Sequence, residues 1–331
     1  MRPRGRSLRH PATKIALFNH KGGVGKTVIT ANVCFALSEL GFSVLAVDAD
    51  PQCNLSTYLL KSSELERMLD QSDDNEGQTL WSAVRPILDG TGGVATVKAV
   101  STAVRNVSLL TGDLRLARFE ESLAYSWPSI WSRSLHAVNQ FTALCRIVSA
   151  AAQATRADFV FYDVGPNIGT LNRCVLLDCD YYVVPVLKDV FSRRALGTLA
   201  RTISTWTAEW EQLGALLPDW AAVLRGRPAL AGYVVGDYSS YPGASRSYEL
   251  SQIQTEVSTR LVSVLSGAAK PKRRSLASYN LGTVSNYGEV VNSAIESNSS
   301  IWRIPSKTSS RAANEFRSLA MRIAEEVSLA R

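Results

Sequence analysis

The run from Lys14 to Thr27, KIALFNHKGGVGKT, constrains the fold of this chain more than any other. Lys14 to Asn19 reads as a short apolar strand. A glycine-rich turn follows, and then the opening of a helix. Gly22, Gly23 and Gly25 allow the backbone to curl until successive N–H groups point inward at an anion. Lys26 adds a positive charge able to reach the outer phosphates, and Thr27 offers a hydroxyl to Mg2+. The helix that starts here, from about Val28, directs its positive end at the same point. These are the parts of a phosphate-binding loop. One position departs from the usual G-x-x-x-x-G-K-[ST] spacing: His20 stands in place of the first glycine, and an additional lysine, Lys21, follows it.

The residues after the loop continue a parallel α/β pattern. Val28 to Leu40 is apolar on nearly all sides, as expected of a helix buried against a sheet, and Gly41 suits its end. Ser43 to Val47 is a continuous apolar strand that runs into Asp48-Ala-Asp50-Pro51-Gln52. A strand, loop, helix and strand within about 35 residues form a βαβ unit with parallel strands. Further strands are expected at 106–110, 158–163, 181–187, 230–235 and 281–284, with Pro185 placing the last residues of its strand at an edge or end. Helices are expected at 134–154, 192–213, 247–265 and 309–329. The last carries Ala312, Phe316, Leu319, Ala320, Ile323 and Val327 on one face. The pattern predicts a doubly wound, mostly parallel sheet of about seven strands flanked by helices, in a single domain over residues 14–331. Residues 60–102 are the least regular part, with a polar loop at 72–78 and a short helix near Leu80 to Leu88.

Composition excludes several classes. Of 331 residues, 46% are apolar and 20% charged, as in ordinary globular proteins. No apolar run reaches the ~20 residues needed to cross a bilayer, so no stable membrane insertion is expected. The first thirteen residues form a basic tail without the apolar core of a secretory signal. Five scattered cysteines with no C-x-x-C pair suggest neither a zinc site nor a disulfide framework, and a cytoplasmic setting is expected. The net charge of +7 is concentrated. Arg2, Arg4, Arg6 and Arg9 lie in the tail, and Lys270, Lys272, Arg273 and Arg274 form a second cluster, leaving the remainder close to neutral. Such clusters either stay solvated or contact phosphates without sequence preference.

Lys21-Gly22-Gly23-Val24-Gly25-Lys26-Thr27 resembles the deviant P-loop of the ParA/MinD ATPases, a family that also includes nitrogenase iron protein and arsenite-pump ATPases. The resemblance extends to Asp48-x-Asp50-Pro-Gln, to the strand-end Asp163 with its following segment from Pro166 to Arg173, to the GDxxLxxxE pattern after Thr111, and to Asn286-Tyr-Gly288. It implies a P-loop NTPase fold closest to ParA-like partition ATPases. It also implies ATP and Mg2+ as cofactors, an ATP-bound homodimer in which Lys21 reaches the partner's nucleotide, and slow hydrolysis stimulated by a ParB-like or other activating partner. Non-specific DNA binding would involve Lys270, Lys272, Arg273 and Arg274, with Arg193, Arg194 and Arg246 as weaker candidates. The chain departs from the family at Gly165, where a second proline is common, and across residues 60–102.

On this reading residues 21–28 hold ATP, and Lys21, Lys26 and Asp50 serve catalysis. Thr27, Asp48 and Asp163 serve the metal, Asp163 through water because Mg2+ keeps several of its waters. Asp50 would orient the attacking water in line with the γ-phosphate. The alternative for Asp48 and Asp50 is a turn before Pro51, which both residue types favour. Two other functions remain in view. A MinD-like membrane-positioning ATPase would carry a basic amphipathic terminal helix, whereas here arginines and glutamates alternate. A metabolic relative of the reductase or dethiobiotin-synthetase type is the other, and an iron–sulfur reductase needs paired cysteine ligands, for which only Cys174 and Cys179 are candidates.

Overall fold

A computed structural model describes residues 11–187, 190–214, 217, 224–237, 276–329 and isolated positions between 255 and 260. The described elements begin with β1 (Thr13–Leu17), α1 (Lys26–Glu39), β2 (Val44–Asp48), α2 (Asn54–Leu59), α3 (Ser62–Asp70) and α4 (Leu80–Leu88). Next come β3 (Val100–Ser101), β4 (Val107–Leu110), α5 (Leu116–Trp131), α6 (Leu135–Thr155), β5 (Phe159–Asp163), α7 (Thr170–Asp178) and β6 (Tyr181–Leu187). The last are α8 (Val190–Gly214), β7 (Ala229–Asp237), β8 (Asn280–Ser285), α9 (Glu289–Glu296) and α10 (Ser309–Leu329).

The strands form one sheet in the order β3-β4-β2-β5-β1-β6-β7-β8. All pairings are parallel except β3 with β4. The sheet thus has eight strands where about seven are expected. The eighth is β3, two residues long and antiparallel, inside the irregular stretch 60–102. That stretch also contains α3, which buries only Leu65 and Met68.

The strands are apolar on both sides because both faces are covered. Alternate residues enter two separate cores. Ile15, Leu17, Val44, Ala46, Phe159 and Phe161 pack under α1, α2 and α10. Ala16, Leu45, Val47, Val160 and Tyr162 pack under α4, α6 and α7. The expected apolar face of α10 is buried in full, from Ala312 to Val327, and faces the first of these cores.

Pro185 lies in a strand flanked on both sides, yet its position follows the expectation in part. Pairing of β6 with β1 stops at Val183, while pairing with β7 continues to Leu187. The Pro185 carbonyl faces beyond the end of β1 and accepts from Asn19 Nδ2 at 2.7 Å. The side of β6 that lacks an N–H therefore meets no strand. The helix expected at 247–265 lies almost entirely outside the described residues.

Candidate functional site

Chain order changes direction across β1: β5 lies on one side and β6 on the other. Open α/β sheets place their ligand crevice at such a point, beyond the carboxyl ends of the strands. Leu17, Asp163 and Asp48 end their strands in register at this edge.

The loop leaves β1 through Asn19, which sequence reasoning passed over. Asn19 is fully buried. Besides holding the Pro185 carbonyl, it accepts the Lys21 amide on Oδ1 at 3.0 Å, so one side chain pins the loop to β6. The available signal was a polar residue closing an apolar strand. Gly23 and Gly25 have φ of 71° and 81°, the left-handed region that glycine tolerates and other residues rarely adopt. Gly25 is the residue before α1, as a phosphate cradle on a helix N-terminus requires. Lys26 is buried, with Nζ 3.0 Å from the Asn19 carbonyl and 3.3 Å from the Lys21 carbonyl. Burial holds its pKa below the usual lysine value, opposed by the charges of Asp163 and Asp50. Burial, assisted by the charge of Lys26, lowers the His20 pKa. Lys21 is half-buried, and Gly22 and Gly23 are exposed at the rim.

The three acids differ in their surroundings. Asp163 Oδ2 accepts the Thr27 hydroxyl at 2.7 Å, while Oδ1 is buried and has no partner. Burial pushes its carboxyl up to about 8, assisted by the charge of Asp48. A buried, half-satisfied carboxylate touching the P-loop threonine fits a divalent cation held by the threonine oxygen and, through water, by the aspartate. Asp48 is also fully buried and pushed up to about 7 by burial. Its Oδ2 accepts the Ser56 amide at 2.7 Å, tying it to α2. A Cβ on Gly112 would lie 2.9 Å from its Cγ. Asp48 therefore does the turn-shaping work of the alternative reading while lying beside Asp163. Asp50 accepts the Gln52 amide at 3.0 Å, and its Oδ1 lies 3.2 Å from where a Cβ on Gly165 would be.

The remaining sequence candidates fall elsewhere. Lys270, Lys272, Arg273, Arg274 and Arg246 lie outside the described residues, as do the side chains of Arg193 and Arg194. Cys174 and Cys179 are buried in the core against α7, where burial pushes both thiols far up. Neither can reach a second subunit to share a cluster. No helix among the described residues is long and apolar enough to cross a membrane.

A glycine cradle on a buried helix, with a hydroxyl and strand-end carboxylates converging on its mouth, places the chain in the P-loop class of nucleotide-binding α/β proteins. Comparison with known proteins narrows the class. Residues 12–213 match the family model described as an AAA domain. The chain belongs to that family, as a ParA/MinD-type P-loop ATPase. It is 29% identical over 190 residues to the sporulation initiation inhibitor Soj of Bacillus subtilis, covering 57% of this chain and 64% of Soj. A Mycobacterium tuberculosis protein is 30% identical over 202 residues, covering 61% of this chain. The chain spans 55% of that relative's length. The solved structure of a Corynebacterium diphtheriae protein has a TM-score of 0.72 at 26% identity, over 96% of this chain and 100% of that one.

Proposed function

We propose that this chain is a ParA-like switch that binds ATP with Mg2+, pairs with a second copy around the nucleotide, and is reset by hydrolysis to ADP and phosphate. The observation that carries the reading is the contact of Thr27 with Asp163, beside a buried Asp163 oxygen that has no protein partner. When bound, the cation would neutralise charge on the phosphates. The loop amides of residues 22–28 and Lys26 orient the phosphates, and Asp50 holds the attacking water. This division suits phosphoryl transfer, in which positioning and electrostatics dominate.

Pairing is supported by the surface of the same edge. Leu114 follows the Gly112 that faces Asp48 and is 64% exposed; Ile168, in the turn after Asp163, is 42% exposed. Apolar side chains left in solvent beside a polar site suit a contacting copy. Lys21 at the loop rim would then serve the partner's nucleotide. Non-specific DNA contact rests on the basic cluster at 270–274, and the biological setting is DNA or plasmid partition, positioning, or a mobile-element or defence system. A ParB-like or other protein would accelerate hydrolysis.

Light scattering with ADP, ATP and a non-hydrolysable analogue tests the switch, with a DNA gel shift run in parallel. Dimers and DNA shifts are expected with ATP and the analogue only. Lys21→Ala is expected to keep nucleotide binding by the monomer and to lose stimulated hydrolysis. A monomer under every nucleotide, or equal turnover by Lys21→Ala and wild type, would sink the proposal.

A further inference from the structure

We propose that Glu120, reaching across from α5, is a positioning residue that sets the Asp50 carboxylate through Asn167 and the turn at 165–169. The inference rests on the ATPase reading above and adds to it a group distant from the phosphates.

The path is short and made of named contacts. Helix α5 starts directly behind the acid edge, four residues after the Gly112 that faces Asp48. Leu116 and Phe119 bury one side of its first turns in the core. Glu120 then projects toward α7, where its carboxylate lies beside Gly169, close to the Asn167 side chain and the first amides of α7. The first amides of any helix need outside acceptors. Gly169, which precedes α7, has no side chain to supply one. The Glu120 carboxylate, from another helix, is the acid that faces this end of α7. Gly169 has φ −79° and ψ 171°, open to any residue, but a Cβ there would meet the Glu120 carboxylate, which would have to move aside.

Asn167 carries the tie onward. Its Oδ1 accepts the Gly169 amide at 2.9 Å and Asn172 Nδ2 at 2.7 Å. Asn172 Nδ2 also donates to the Gly165 carbonyl at 2.9 Å and the Asn167 carbonyl at 3.0 Å. The turn is thereby braced from inside by Asn172 and from outside by Glu120. On its upper side a Cβ at Gly165 would meet Asp50 Oδ1 at 3.2 Å and Asn167 Nδ2 at 3.7 Å. Asp50 therefore rests on the braced turn. The two acids also sense each other: burial raises the Glu120 pKa, and the Asp50 charge adds to the rise. None of these contacts involves Lys26 or Thr27. The glycine at 165 gives Asp50 room to lie there.

The test compares Glu120→Gln, Asn167→Ala, their double variant and Gly169→Ala in the full chain. Affinity for a fluorescent ATP analogue, the turnover number and the melting temperature are measured for each. Glutamine keeps the size of the side chain but removes the charge that faces Asn167 and the first amides of α7. Glu120→Gln is expected to lower turnover roughly ten- to a hundredfold, the scale of a small misplacement, with nucleotide affinity within about twofold of wild type. The double variant should be no slower than the slower single variant, because both residues act through one turn. Gly169→Ala leaves Glu120 in place chemically but displaces its carboxylate, and should reproduce the defect. It carries the test if Glu120→Gln does not fold. Turnover in Glu120→Gln and Gly169→Ala equal to wild type, or independent losses that multiply in the double variant, overturns the inference alone. A wild type that binds ATP and never turns it over overturns the ATPase reading and this inference with it.

Discussion

The paired acids at the strand ends make nucleotide binding depend on pH in a way that can be worked out. In the free protein, burial and the neighbouring Asp48 hold the Asp163 carboxyl near 8. A cation beside Thr27 requires the carboxylate, so below that value binding must first expel a proton. With a pKa near 8, the ionised fraction falls from about three quarters at about pH 8.5 to about 3% at about pH 6.5. Mg2+-dependent affinity should therefore be roughly 25-fold weaker at the lower pH, or ~2 kcal/mol, with about one proton released per nucleotide bound. Titration calorimetry in two buffers of different ionisation enthalpy reads both quantities. Asp163→Asn separates the carboxyl from the nucleotide's own ionisation: it should bind Mg2+-nucleotide weakly and lose the slope. The same pH slope in Asp163→Asn and wild type would refute the reasoning, as would a flat wild-type profile. The sign also applies to folding. A carboxyl whose pKa is raised by folding costs stability once pH exceeds its unfolded value, so the ligand-free protein should lose stability as pH rises from about 4 through 8, and Mg2+ with ATP should restore it.

Three further outcomes are expected. Lys14 is buried with Nζ 2.7 Å from Asp178 Oδ1, so Lys14→Met strands a buried carboxylate and should cost about 3–5 kcal/mol by urea denaturation, most of it recovered in Lys14→Met/Asp178→Leu. The pair raises the Lys14 pKa, so its contribution should persist below about pH 10.5 and fade only above that. Gly112→Ala would press a methyl against the Asp48 backbone oxygen at 3.0 Å as well as its side chain, and should destabilise the fold by about 1–3 kcal/mol in the same assay. Replacing Lys270, Lys272, Arg273 and Arg274 with alanine should weaken DNA binding alike on all sequences and flatten its salt dependence, with no change in nucleotide affinity.

The parts of the fold that the sequence announced are those where local pattern and tertiary setting agree. β1, β2, β5 and β6 are buried on both faces, so each appears as an unbroken apolar run. The P-loop is a backbone device with compulsory glycines, and Asp48 and Asp163 close apolar strands on the same edge. What was missed depends on contacts distant in sequence. α3 offers only Leu65 and Met68 to the core, too little periodicity to mark a helix. β3 has two residues and exists only because β4 pairs with it. Asn19 looks like an ordinary polar residue until the Pro185 carbonyl is placed beside it, and Glu120, though the glutamate of the GDxxLxxxE pattern, gives no sign in sequence that it faces the turn before α7. The resemblance assigns Asp48 to the metal, and its tie to the Ser56 amide could not be read from sequence because that amide comes from the next helix.

The helix α1 carries the P-loop lysine at its first position, and few of its side chains see water. Its outer cover is supplied late in the chain. Phe316, Leu319 and Ile323 of α10 share a core with Ile29, Val33 and Phe35, and Asn32 Oδ1 accepts the Ile301 amide at 3.0 Å. The match to the family ends at residue 213, before β7, β8 and α10. The shared segment therefore cannot be excised as a working module. Cut at that point, it would keep every P-loop residue and yet present the outer side of its own nucleotide-binding helix to solvent, with the sheet open along β6. The matched segment holds the P-loop residues, and the last third of the chain covers the helix that presents them.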